Sequence, residues 1–194
     1  MSGRRVVITG MGAVTPIGNS VEETWASVKA GKSGIAPITH FDASNNKVKY
    51  AAEVKNFDAG LYMDPKEARK MARFTQFAVA AAKMALDDSG LTENADVLED
   101  TGVILGVGIG GFEVTESSCI SYYKSGCVKT PPMTIPELIP NEAGGNIAIQ
   151  FGIHGANHTV STACSSGTDA LGDAFDMVRS GRMDVCLAGG SEST

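Results

Sequence analysis

The chain has 194 residues, 43% of them hydrophobic and 20% charged, with 16 basic against 22 acidic side chains and a formal net charge of −6. That length allows one sizeable core, and the acidic balance excludes a general nucleic-acid binder. Arg4 and Arg5 precede only a short apolar run, and no stretch approaches the ~20 apolar residues of a membrane span, so a soluble, cytoplasmic protein with no membrane partner is expected.

Arg4 to Gly10 reads as a first strand closing in a glycine turn at Gly10 and Gly12. Asn19 and Ser20 are cap candidates for a helix in which Val21, Trp25 and Val28 recur at i, i+4 and i+7 and Gly31 marks the stop. Lys32 to Asn46 reads as loop and Lys47 to Val54 as a short strand. The longest helical signal runs from Lys66 to Ser89, rich in alanine and ended by Gly90, with Met71, Phe74, Ala78, Ala81 and Ala85 along one stripe. Thr101 to Val107 is a continuous apolar run of strand length, as in a parallel sheet covered on both faces. Helices are predicted from about Phe112 to Lys124 and around Glu142 to Phe151, separated by a loop broken by Pro131, Pro132, Pro136 and Pro140. A strand over Asn157 to Thr162, a helix from Cys164 to Ser180 and a strand from Asp184 to Gly189 complete the chain. Strands alternating with helices predict α/β architecture, in one domain over residues 1–194.

Gly106, Gly108 and Gly111 satisfy G-x-G-x-x-G between a strand and a helix, the setting of a dinucleotide fingerprint. The fingerprint also needs a second strand ending in Asp or Glu about 20 residues on, where this chain has prolines and Glu137. A glycine loop that lets backbone crowd a pocket or the cysteine turn is the preferred reading. Four cysteines (Cys119, Cys127, Cys164, Cys186) show no CxxC spacing and no histidine at ligand intervals, so neither a metal site nor a disulfide framework is suggested.

Cys164 stands where the β-prone run meets the helical segment, flanked by Ala163, Ser165, Ser166 and Gly167. The free amides and positive dipole end of a helix favour a thiolate there, and small neighbours leave room for a substrate, so Cys164 is a candidate acyl acceptor. Cys186 reads as core. Six extended residues reach about 20 Å, so His158 cannot touch the Cys164 sulfur if that segment is a strand. His154 and His40 likewise read as exposed or locally bonded. Lys66, Arg69, Lys70 and Arg73 fall at i, i+3, i+4 and i+7 and form one basic helix face, with Lys124 and Lys129 as extensions; the face is either solvated surface or a dock for an acidic partner. Asp169, Asp173 and Asp176 sit on the helix after the cysteine, where full burial would be costly.

Four segments, RRVVITGMG, GVGIGG, STACSSGTDALG and DVCLAGGSES, together resemble the elongating β-ketoacyl-[acyl-carrier-protein] synthases of the synthase II type, with polyketide ketosynthases as close relatives. The likeness spans the chain in order, and TACSSG is its most specific part. It implies a thiolase-like fold, of which this chain is the N-terminal βαβαβ half, a mixed sheet flanked by helices. It implies that Cys164 forms an acyl-enzyme with a chain delivered on phosphopantetheine, so that no resident cofactor or metal is needed. The reaction would be decarboxylative condensation with malonyl-[acyl-carrier-protein] in fatty acid elongation. Ile109 would contact the acyl chain, Lys66, Arg69 and Lys70 would dock the acyl carrier protein, and a homodimer would form through the strand ahead of Cys164. Two histidines and a lysine would come from a second half, so the 194-residue chain is expected to supply the nucleophile without condensing alone. The alternatives are a polyketide ketosynthase, a thiolase-type or initiating acyltransferase, a non-catalytic carrier-binding or chain-length-factor-like subunit, and an oxidoreductase using the glycine loop.

Overall fold

The computed structural model describes residues 4–193. Residues 4–10 do not form the first strand that their composition predicts. A strand requires a ladder partner, and this segment has none among the described residues. It is held instead by Arg4 pairing with Asp184 and by the Met11 N–H donating to the Asp88 carboxylate at 2.9 Å. Val7 and Ile8 consequently face solvent.

The first helix, α1 (Val21–Lys29), starts where predicted, with the Ser20 hydroxyl accepting the Glu23 N–H at 3.2 Å. Its buried side is not the Val21–Trp25–Val28 stripe. Ser27 turns inward and donates to the Ile17 carbonyl at 2.8 Å, while Trp25 and Val28 are 59% and 50% exposed. The polar turn at 15–18 decides which face docks. Next, β1 (Ala36–Pro37) and β2 (Tyr50–Ala51) form a short antiparallel pair, so the predicted loop contributes a strand and the strand predicted over 47–54 contracts.

The helix predicted over 66–89 is two helices, α2 (Pro65–Ala68) and α3 (Arg73–Ser89). Asp64 caps the first, and Gly90 at φ +72° closes the second. At the break the Gln76 side-chain amide donates to the carbonyls of Ala68 and Met71 at 2.8 and 3.2 Å, and Glu113 accepts the Arg73 N–H at 2.8 Å. A side chain from the first turn of α3 and one from residue 113 thus satisfy the backbone groups freed there, against the helical propensity of the sequence.

A helix absent from the sequence reading, α4 (Ala95–Asp100), is capped by Asn94 and leads into β3 (Gly102–Gly106). The helix α5 (Phe112–Lys124) matches its prediction, and a short α6 (Thr134–Leu138) interrupts the proline-rich loop, with Pro136 tolerated in its first turn. Then come α7 (Glu142–Phe151), β4 (Asn157–Val160), α8 (Ser166–Arg179) and β5 (Cys186–Gly190).

The order β3–helices–β4–α8–β5 is a βαβαβ unit whose sheet order is β4-β3-β5. All three strands run parallel, so the sheet is not mixed as the resemblance implied. Each connection passes through helix, which returns the chain to the same edge before the next strand begins. The central strand β3 is buried throughout. Val103 and Leu105 pack with Phe74, Val79 and Ile147 of α3 and α7 on one face, and Ile104 packs with Ala170 and Ala174 of α8 on the other. This is the alternation of a strand covered by helices on both sides. Among the described residues, no helix is long and apolar enough to cross a membrane.

Candidate active site around Cys164

The carboxyl ends of β3, β4 and β5 meet at one edge of the sheet, the edge at which parallel α/β sheets present ligands. The chain leaving β4 makes a tight turn there. Cys164 lies in the 3-10 turn Ala163–Ser165, just ahead of α8, rather than on the first α-helical residue. Ala163 adopts φ +54°, a left-handed conformation that costs an L-residue about 1–2 kcal/mol.

Buried Ser166 holds the turn, its hydroxyl accepting the Thr162 N–H at 2.9 Å and donating to the Ala163 carbonyl at 2.6 Å. Below it the backbones of β3, β5 and α8 nearly touch. A Cβ at Gly106 would fall on the backbone of Ser166 and Gly167, so only glycine permits this approach. The result is a cysteine raised into solvent on a rigid base.

The acids that sat uncomfortably in the sequence are accounted for. Asp169 accepts hydrogen bonds from the Thr162 hydroxyl and from the Ser165 hydroxyl, the latter at 3.1 Å, while Asp173 and Asp176 face solvent. The inward side of α8 is Ser166, Ala170 and Ala174, leaving Leu171 and Phe175 exposed.

The glycine loop has a different occupant from the one its motif suggests. The amides of Gly108, Ile109 and Gly110 donate to the Glu192 carboxylate at 3.0, 2.7 and 3.1 Å. Glu192, just past β5, was not singled out in the sequence; the available signal was an acid following a strand beside a run of glycine amides without a phosphate-binding context. The loop lies against the cysteine turn, since a Cβ at Gly108 would stand 3.4 Å from the Ala163 carbonyl oxygen. Ile109 is 56% exposed beside it.

The other cysteines are differently placed. Cys186 is partly buried in β5, and burial pushes its thiol up to about 11, as a core position should. Cys119 and Cys127 are exposed on and after α5. His154 faces Glu99 at 3.5 Å. His158 lines a cavity with Asp176 and Arg179 near the carboxyl end of α8, whereas Cys164 precedes its amino end, so a helix of roughly 20 Å separates them. No cluster of His, Cys, Asp or Glu suited to a metal ion occurs among the described residues.

The basic face needs correction. Lys66 lies on α2, and Arg69 and Lys70 lie in the turn after it; all three are exposed, with Lys70 paired to Glu67 at 2.7 Å. Arg73 does not join them. Its guanidinium stacks 4.8 Å from both the Phe57 and Phe77 rings, where burial lowers its pKa. The start of α3, just after this turn, reaches the end of the glycine loop: Glu113 accepts the Arg73 N–H, and Gly111 abuts Ala72. Lys124 lies at the far end of α5 from Glu113, roughly 16 Å away by helical rise, and Lys129 lies further along the chain.

Comparison with known proteins identifies the family and the fold. Residues 3–194 match the β-ketoacyl synthase N-terminal domain. The chain is 44% identical over 192 residues to 3-oxoacyl-[acyl-carrier-protein] synthase 2 of Vibrio cholerae, covering 99% of this chain and 46% of the relative. It superposes on the ishigamide ketosynthase/chain length factor with a TM-score of 0.91 at 34% identity, covering 99% of this chain and 48% of that one. A type II polyketide acyl-carrier protein in complex with its ketosynthase, bound to the hexaketide, gives a TM-score of 0.80 at 25% identity, covering 96% and 50% of the two chains. The chain belongs to the β-ketoacyl synthase family, as its N-terminal domain, and has the thiolase-like fold. It spans about half the length of the curated relatives it matches.

Proposed function

We propose that Cys164 is the acyl acceptor of a fatty-acid-type β-ketoacyl-[acyl-carrier-protein] synthase. The observation that carries this reading is an exposed thiol on a strained turn at the carboxyl edge of the parallel sheet, directly ahead of α8. The thiolate attacks the carbonyl of an acyl-phosphopantetheine thioester, a new C–S bond forms, the old one breaks, and the pantetheine leaves as a thiolate that takes a proton from water. Oxyanion charge develops during that attack, and the Cys164 N–H, which has no hydrogen-bond partner among the described residues, is a suitable donor. In the condensation that follows, malonyl carrier loses carbon dioxide and its carbanion attacks the acyl carbonyl, giving a chain two carbons longer and releasing the Cys164 thiolate.

Condensation in this reading calls on residues outside this chain, because neither His154 nor His158 reaches Cys164. The 194-residue chain therefore accepts acyl groups without turning over malonyl carrier. Ile109 contacts the acyl chain, and Lys66, Arg69 and Lys70 receive the acidic carrier protein; the structurally similar ketosynthase held by its own carrier supports such docking. As an edge strand of the sheet, β4 suits pairing with a second copy, giving a homodimer. The same reading places the enzyme in the cytoplasm with its carrier and requires no resident cofactor. The likeness to a ketosynthase/chain length factor favours polyketide synthesis as the second reading. Incubation with acyl-pantetheine thioesters followed by intact-mass measurement tests the proposal: an acyl adduct on Cys164, absent in Cys164→Ser, supports it, and no adduct at that residue contradicts it.

A further inference from the structure

We propose that Glu192 is a positioning residue for this site: by holding the Gly108–Gly110 backbone it fixes Ile109 beside Cys164 and so sets which acyl chain lengths the thiol accepts. This rests on the acyl-acceptor reading of Cys164. Consecutive amides at 108, 109 and 110 converge on one carboxylate at 3.0, 2.7 and 3.1 Å. Such convergence requires irregular backbone, supplied by Gly110 at φ +84°, and charge-assisted bonds of this kind are the strong ones.

The carboxylate is itself anchored to the core. The neighbouring Ser191 donates its N–H to the Gly106 carbonyl at 3.1 Å and its hydroxyl to the carbonyl of fully buried Phe74 at 2.6 Å. Glu192 therefore ties the middle of the loop to the sheet, while its ends are held by the Val107 N–H donating to the Val160 carbonyl and the Gly111 N–H donating to the Leu138 carbonyl, each at 3.0 Å. The Ile109 side chain is 56% exposed, too open for packing alone to place it. Backbone hydrogen bonds must place it instead, and at the Ile109 amide that bond is to Glu192.

Hydrogen exchange on the unaltered chain and on Glu192→Gln, with Glu192→Asp as the second variant, tests the holding. Protection of the Gly108, Ile109 and Gly110 amides should be present in the unaltered chain, lost in Glu192→Gln and intermediate in Glu192→Asp, with β3 amides unchanged. Free exchange of those loop amides in the unaltered chain overturns the proposal without needing any variant. Specificity is read by alkylating Cys164 with iodoacetamide and with N-decyl iodoacetamide. The ratio of the two rates should shift about tenfold in Glu192→Gln while the small-reagent rate holds, because misplacement of a contact acts on the chain it orients. An unchanged ratio with deprotected amides overturns the positioning role. If Cys164 of the unaltered chain reacts with neither reagent ahead of Cys119, the acyl-acceptor reading fails, and the role in chain selection goes with it.

Discussion

At the scale of single residues, the turn around Cys164 is a balance between strain and hydrogen bonding. Ala163 carries a left-handed φ that its side chain disfavours, and Ser166 supplies the bonds that hold it there. Replacing Ala163 with glycine removes the steric cost but adds unfolded-state entropy, so Ala163→Gly should stabilise the protein by up to about 1 kcal/mol in denaturant unfolding. A loss of stability would mean the methyl group packs favourably. Glu137 gives a pH-dependent counterpart. Partial burial, and then the nearby Glu113 charge, hold its pKa above the ordinary 4.5. A raised folded-state value means stability that is present below that ordinary value and lost as pH rises through the raised one. Glu137→Gln should therefore melt higher than the unaltered protein near pH 7, with the advantage gone near pH 4; equal melting at both would remove the burial argument. The position of Cys164 was legible in the sequence because a β-prone run met small residues and a helix. The left-handed Ala163 was not, since alanine signals no such conformation, and Glu192 was hidden because its partners are backbone amides some 80 residues earlier.

At the scale of elements, apolar runs and caps were readable and choices of docking face were not. The strand at 102–106 and the helices at 112–124 and 142–151 follow from apolar run length, periodicity and glycine or proline boundaries. The break between α2 and α3 depends on Gln76 folding back onto the Ala68 and Met71 carbonyls and on Glu113 reaching the Arg73 N–H from 40 residues on, and the exposure of Trp25 depends on which side of α1 meets the 15–18 turn. That break turns a predicted helix face into a compact exposed turn of Lys66, Arg69 and Lys70, the surface proposed to receive the carrier. In a complete synthase, Lys66→Glu with Arg69→Glu should raise KM for the acyl carrier about tenfold or more at low salt, with the effect shrinking as salt is added. A KM that does not move leaves the turn as solvated surface. The contact of β3 with the cysteine turn is tested by Gly106→Ala, whose methyl would meet the Ser166 backbone. That change should cost about 1–3 kcal/mol and slow Cys164 alkylation, and a neutral outcome would show the turn is not seated on β3.

At the scale of the whole molecule, the βαβαβ sheet is covered by helices on both faces, and the outer side of α8 is left apolar and exposed. Phe74, Val79, Val103 and Ile147 close the core on the α3–α7 side, while α8 covers the opposite side and presents Leu171 and Phe175 outward. Cys164 stands at the carboxyl edge between them, so the account reduces to whether that thiol is chemically distinguished from the others. Mass spectrometry of iodoacetamide labelling, resolved by cysteine and by time, answers this most directly. Cys164 should react at least about tenfold faster than the equally exposed Cys119 and Cys127, with partly buried Cys186 last. Labelling of Cys119 or Cys127 at the same rate as Cys164 would contradict it.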